Sequence, residues 1–348
     1  MKGEVTANPG VLRTLSLMAA AVFFLLSIGH GDAQAVRKSV KIIKIDGSST
    51  VYPITEALAE EFQVREHGNV LVTIDISGTG GGFMKFCRGE TDISNASRPI
   101  KLGEVAECRR HNVEYIEIPV AYDGIAVTVN PLNHRVKSLS VEDLKKIWGP
   151  EAQGSVTKWS RIRKGWPDRK IHLYGPAPDS GTYDYFTRAI VGEQGSSRSD
   201  YTSSENYNLL ARRVAADKYA LSFFGLFYYI NNKDKLKLVA IDDGDPSNGK
   251  GAVYPTIETV NNGTYQPLSR PIFIYVSRKA ASRQDIRDFV EYYIKNAGKV
   301  SIGAGYIPLS AEFYRLAMKR FEQRKTGSVF GGEGAREGVS MSDLMRME

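Results

Sequence analysis

Three short stretches pair small hydroxyl residues with glycine just where the pattern turns helical. They are Gly47-Ser48-Ser49-Thr50 before Val51-Tyr52-Pro53, Ser77-Gly78-Thr79-Gly80-Gly81-Gly82 before Phe83, and Asp179-Ser180-Gly181-Thr182 before Tyr183. The chemistry such stretches serve is anion binding. The first N–H groups of a helix have no partner within it, and the dipole makes that end partly positive. Glycine admits close approach to the backbone, while serine and threonine add hydroxyl donors. A strand, a Gly/hydroxyl turn and a helix start therefore make a seat for an anion. One such turn is ordinarily just a cap; three in one chain are able to surround a single anion with uncharged donors. Other chemistries are poorly served. No Gly-Lys-Ser/Thr follows Gly78–Gly82, as a P-loop needs, and the run does not fit GxGxxG. A serine hydrolase elbow, GxSxG, is absent.

The elements that must hold these turns follow from periodicity. Val40–Asp46 reads as a strand leading into the first turn, and Pro53 opens a helix whose apolar positions Ile54, Leu58, Ala59 and Phe62 keep the 3.6 repeat. Val70–Ile76 is a strand leading into the second turn, followed by a short helix, Phe83–Arg88. Thr91–Ser94 is a strand, Lys101–His111 a polar helix, and Tyr115–Val120 and Gly124–Val129 two further strands. Ser140 caps a helix to Trp148, and an irregular Gly/Pro/Trp-rich loop spans 149–167. Ile171–Tyr174 is the strand before the third turn. Beyond it the pattern gives a helix over 204–218, strands at 220–224, 235–241 and 271–276, and helices over 284–296 and 310–324. Strands alternating with helices predict an α/β fold with mainly parallel sheets. The glycine- and charge-rich segment 326–348 predicts disorder.

At 348 residues two domains are expected. The N-terminus reads as a targeting segment: Lys2 and Arg13, an apolar run from Leu15 to Ile28, then Ala33-Gln34-Ala35. The run is shorter than the roughly 20 residues a spanning helix needs. Residues 1–35 are thus expected to be a signal peptide, removed on export. Cleavage would take away two basic and two acidic residues and leave the formal charge at +7. That excess suits an anionic partner and equally a solvated surface; no basic run with interleaved aromatics points to nucleic acid. Of the two cysteines, Cys87 and Cys108, an exported chain favours a disulfide, with two separate thiols as the alternative. No CxxC exists and the histidines are scattered, so neither metal nor cofactor is expected.

Five segments in order carry a resemblance that spans nearly the whole exported part: IDGSSTVYPITEALAEEF (45–62), ISGTGGGFMKFCRGETDISNASRPI (76–100), AYDGIAVTVNP (121–131), LSVEDLKKIWG (139–149) and LYGPAPDSGTYDYFTRAI (173–190). Together they resemble the periplasmic phosphate-binding proteins of ABC transporters, the PstS type. The resemblance implies a two-lobed clamshell of the type II periplasmic-binding kind, each lobe a mixed, mainly parallel sheet flanked by helices. One lobe would comprise residues 36–122 and 271–325, the other 123–270. It implies phosphate ligands from the same three turns and from the loop after the third strand: Ser49, Thr50 and the Val51 backbone, Thr79, Ser97 and Arg98, then Ser180, Gly181 and Thr182. Two positions depart from the family pattern. Ser97 stands where better-studied members carry an aspartate that accepts phosphate's proton, and Pro176 where they carry an arginine. Arg98 is the candidate for the missing positive charge, and Asp179 or Asp92 for the missing acceptor. Tyr52 and Tyr122 are candidates to line the cleft, and the three tryptophans to anchor packing. The implied function is capture of inorganic phosphate by a monomer and its delivery to an inner-membrane ABC permease, with no catalysis. The alternatives are a receptor for sulfate or arsenate and an exported phosphate-ester hydrolase.

Overall fold

A computed structural model describes residues 40–335; the expected signal peptide and the tail beyond Ala335 lie outside them. The strands are β1 (Lys41–Gly47), β2 (Val70–Asp75), β3 (Ile93–Ala96), β4 (Tyr115–Val129), β5 (Ser138–Ser140), β6 (His172–Gly175), β7 (Thr202–Ser203), β8 (Ala220–Gly225), β9 (Lys237–Leu238), β10 (Ala240–Asp242) and β11 (Ser269–Ser277). The helices are α1 (Tyr52–Arg65), α2 (Gly78–Cys87), α3 (Leu102–Arg110), α4 (Val141–Trp148), α5 (Gly181–Val191), α6 (Tyr207–Ala216), α7 (Leu226–Ile230), α8 (Ile257–Asn261), α9 (Gln284–Gly303) and α10 (Ala311–Glu322). The main sheet runs β2-β1-β3-β11-β4-β8-β6-β7, with β9 also on β4, while β5 and β10 pair separately.

The sheet has two halves that share one strand. β1 pairs parallel with β2 and β3, and β11 runs antiparallel between β3 and the first part of β4, Tyr115–Gly124. The last part of β4, Ile125–Val129, pairs antiparallel with β8, and β6 pairs parallel with β8 and β7. Sequence periodicity breaks β4 in two at Ala121–Asp123, but the chain runs straight through because this stretch is covered on all sides. Every residue of β4 is buried, and β11 supplies partners across the break. Parallel order reverses at β1 and again at β6, each flanked by a strand on either side. In open α/β sheets the crevice beyond the carboxyl ends of such strands is where ligands sit.

Local sequence sets the helices. α1 buries Ile54, Leu58 and Phe62, and Phe62 meets Phe289 of α9 edge-on at 5.3 Å. Truncating such a ring typically costs about 3–5 kcal/mol. The Ser140 hydroxyl caps α4 by accepting from the Asp143 N–H at 3.1 Å. The helix expected from Phe83 instead starts at Gly78 and takes in the whole glycine run. Propensity alone disfavours that, but a Cβ at Gly82 would stand 2.5 Å from the Gly47 Cα. Only glycine lets this helix press onto the end of β1, so packing overrides propensity. Trp148 packs edge-on against Phe223 at 4.9 Å, and Trp159 lies 5.6 Å from Trp166, which anchors the irregular loop.

Cys87 at the end of α2 and Cys108 in α3 form a disulfide. The C-terminal segment differs from its composition-based expectation as far as Ala335. Gly327 bridges Ile116, the Val329 N–H donates to Glu117 Oε1 at 2.9 Å, Phe330 packs against Phe273, and Glu333 bridges Lys101. One aromatic ring and a buried carboxylate anchor what the glycines would leave loose.

Candidate functional site

All three Gly/hydroxyl turns sit at carboxyl ends of parallel strands: the first after β1, the second after β2, the third after β6. Each opens a helix, α1, α2 and α5 respectively. Three helix starts, with their positive dipole ends, thus face one region. The loop after β3 brings Ser97 to the same place. The side chains of Ser49, Thr50, Thr79, Ser97, Ser180 and Thr182 are all at most 1% exposed.

They touch across the halves of the sheet. Thr50 Oγ1 lies 3.0 Å from Thr182 Oγ1. Thr79 Oγ1 lies 3.2 Å from Ser97 Oγ and accepts the Ser97 N–H at 3.1 Å. The Gly80 N–H donates to the Asp179 carbonyl at 2.9 Å, which ties the second turn to the third. A Cβ at Gly181 would stand 2.5 Å from both Ser97 Oγ and Thr79 Oγ1, so glycine is needed for that approach. Of the nine residues expected at the site, seven meet here as side chains or close-packed backbone. The Val51 N–H is taken by the Ser48 carbonyl at 3.1 Å.

Arg98 does not stand free in the site, and its expected place as the phosphate-facing charge needs correction. Its Nη1 and Nη2 donate to the two Glu104 oxygens at 2.8 and 2.7 Å, its Nε to Asp184 Oδ2 at 2.7 Å, and Nη1 also to the Pro99 carbonyl. Burial by itself would lower its pKa; Glu104 and Asp184 more than offset that and hold the guanidinium charged. Lys101 joins the same Asp184 oxygen at 2.7 Å. Two cations and two carboxylates leave this group without net charge.

The arginine that reaches the hydroxyls is Arg270, at the start of β11 and fully buried. Its Nη2 donates to Thr182 Oγ1 at 2.7 Å, to Thr50 Oγ1 at 3.2 Å and to Asp123 Oδ2 at 3.0 Å, and its Nη1 to the Gly181 carbonyl at 3.0 Å. With both oxygens accepting from Arg270 and one hydroxyl donating to the other, the Thr50–Thr182 pair keeps one proton to give outward. Burial pushes the Asp123 carboxyl up, while the charge and hydrogen bonds of Arg270 pull it down. Sequence reading missed both residues. The signal that was present is an arginine directly ahead of an apolar β run, in LSRPIFIYV, where nothing but a buried acid would keep it.

Three tyrosines complete the wall: Tyr207 OH meets Ser180 Oγ at 2.6 Å, Tyr228 OH donates to the Ser49 carbonyl at 2.8 Å, and Tyr306 OH to the Thr50 carbonyl at 2.6 Å. Glu205 lies beside them, accepting the Ala177 N–H at 3.1 Å and the Ser49 hydroxyl at 3.4 Å. Burial pushes its carboxyl up to about 7, against Ala177 and Ser49, with Asp179 adding to the rise. Tyr52 lines the cavity next to Ser49, as expected of it, whereas Tyr122 is buried within β4. Asp92 sits at the opposite end of β3 from Ser97, held by the Lys44 N–H and Arg283. Asp179 is exposed and offers the site its carbonyl. The arrangement is a close-packed cluster of hydroxyl and N–H groups around a charge-compensated arginine, beside a cavity that Ser49 lines, and its donors are of the kind that suit a small dehydrated anion.

Comparison with known proteins agrees. Residues 32–297 match the model of the PBP superfamily domain. Protein SphX of Synechococcus elongatus is 46% identical over 99% of this chain and 98% of its own length. The phosphate-binding protein PstS of Staphylococcus haemolyticus is 38% identical over 79% of this chain and 84% of its own. A substrate-binding protein from Clostridium perfringens, assigned to a phosphate ABC transporter and solved with phosphate bound, superposes with a TM-score of 0.63. It is 25% identical, and the match covers 78% of this chain and all of that one.

Proposed function

The chain belongs to the PBP superfamily and to its PstS-type phosphate-binding members, and on that premise we propose that it captures inorganic phosphate outside the cytoplasm and hands it to an ABC-type importer. The observation that carries this reading is the meeting of three helix starts and six buried hydroxyls from both halves of the sheet in one cluster. A tetrahedral oxyanion needs many donors in several directions, and dipoles held in place stabilise its charge without an adjacent free cation.

In this reading the lobes are 36–122 with 271–325, and 123–270, and β4 and β11 are the strands that pass between them. Ser49, Thr50, Thr79, Ser97, Ser180, Gly181 and Thr182 surround the phosphate; Arg270 orients Thr50 and Thr182; Arg98 braces the lobes through Asp184. Phosphate belongs to both lobes at once, so binding favours the closed arrangement, in which water is excluded. The protein acts as a monomer, is exported with loss of its signal peptide, breaks no bond, and meets its permease in the closed form.

The test is calorimetric titration of protein stripped of bound anion by partial unfolding and refolding. Saturable, one-to-one binding of phosphate is expected. Silence toward every oxyanion would sink the reading, and equal affinity for sulfate would make the protein a general oxyanion receptor.

A further inference from the structure

Donors alone do not tell one tetrahedral oxyanion from another. Hydroxyls and N–H groups bind any of them, so discrimination requires an acceptor that only a protonated oxyanion satisfies. The carboxylates around the cluster differ in how they are spent. Asp123 is paired with Arg270, Asp184 with Arg98 and Lys101, and Asp46 with Lys85 and the Ser77 hydroxyl. Glu205 has no lysine, arginine or histidine within ion-pair distance among the described residues. It is also the carboxylate that reaches all three turns. Oε2 accepts from Ser49 of the first at 3.4 Å, would stand 3.1 Å from a Cβ at Gly78 of the second, and Oε1 accepts from Ala177, just ahead of the third, at 3.1 Å. It lines a cavity of ≈ 340 Å³ with Ser49, Tyr52, Ile76, Tyr207 and Tyr228.

We propose that Glu205 is the proton acceptor of the anion site, the group by which this protein selects an oxyanion that carries a proton over one that carries none. The proposal rests on the phosphate reading above. In the bound state the ligand's P–O–H hydrogen lies in a bond to a Glu205 oxygen, and the Ser49 hydroxyl, freed from that oxygen, turns to donate to the anion. Sulfate has no hydrogen to offer and would set its oxygens against the carboxylate. No covalent bond is made and no net proton transfer is required.

The groups facing Glu205 are acids and phenols. Asp179 adds to its rise, and Tyr207, Tyr228 and Tyr201 are themselves pushed up by burial, with Glu205 adding to each. Tyr52, across the cavity, is raised to about 12, chiefly by its bond to Glu56. Ala177, Ser49 and Ser180 favour the charged form by hydrogen bonding, but with no cation beside it burial wins and Glu205 becomes neutral as pH falls through about 7. A neutral carboxyl is a donor, so rejection of sulfate should be strong at alkaline pH and fade on acidification.

The experiment is calorimetric titration of stripped protein with inorganic phosphate and with sulfate, from about pH 5.5 to about pH 8.5, for wild type and Glu205→Gln. In wild type the preference for phosphate should grow with pH. In Glu205→Gln, sulfate binding should become independent of pH and the preference at about pH 8 should fall by about tenfold to a hundredfold, the worth of one hydrogen bond to a charged group. An unchanged preference in a folded variant, checked by its thermal melt, overturns the proposal and leaves the phosphate reading intact. A wild type that binds neither anion overturns the phosphate reading instead. Should the variant not fold, the wild-type profile decides, because a preference flat across that pH range is incompatible with a titrating acceptor.

Discussion

Two arginines lie buried within the same cleft, and they are spent in opposite ways. Arg270 is 0% and Arg98 1% exposed, and each is bonded to an aspartate. Arg270 gives one aspartate enough to balance its charge and turns the rest of its donors onto two threonine hydroxyls and a carbonyl. Arg98 gives nearly everything to carboxylates and a carbonyl, reaching from the loop after β3 to Asp184 on α5. A buried cation next to an anion site need not touch the anion. What it donates to decides whether it shapes the ligand's surroundings or braces the walls around them.

The sharpest way to break that distinction is Arg270→Met. It leaves Asp123 buried without a counter-charge and takes from Thr50 and Thr182 the donor they share. Removing one partner of such a pair typically costs about 3–5 kcal/mol, to be read by denaturant unfolding, and phosphate binding should be lost to calorimetry. If the variant binds phosphate like wild type, Arg270 is structural only. Asp184→Asn tests the other arginine. Glu104 still holds Arg98, so the fold should survive, but the bonds that close the cleft weaken. Phosphate affinity should fall by about tenfold, mostly through faster release. An effect as large as that of Arg270→Met would erase the contrast. Lys101→Ala comes last, since Lys101 is 36% exposed and its bond to Asp184 is screened. A change of no more than about threefold in affinity is expected, and a larger one would move Lys101 into the site.

How much of this was legible beforehand follows from the same contrast. The three turns were readable because an anion seat of this kind is local: a few hydroxyls and glycines adjoining a helix start, all in sequence. Arg270 lies 147 residues from Asp123 and 220 from Thr50, and no spacing rule connects them. Glu205 sits between a serine pair and a helix and looks like any surface acid until Ser49 is brought against it. Periodicity splits the single strand β4 at Ala121–Asp123; it is extended because Arg270 neutralises Asp123 and β11 pairs across the gap. In the C-terminal segment composition points to disorder, while as far as Ala335 Phe330 and Glu117 hold the chain in place.

The place of β11 has a consequence for how the chain is made. It is the strand between β3 and β4, yet it comes from residues 269–277, some 140 positions after β4 ends. Until those residues arrive, β3 and the first part of β4 have no strand joining them, and Asp123 has no Arg270. The segment that contributes β6, β7 and β8 is contiguous and can pair with the end of β4 much earlier. The first part of the chain to emerge is thus among the last to be completed, and its open strand edges are exposed for most of synthesis. Truncation before residue 269 should leave a product that aggregates through those edges.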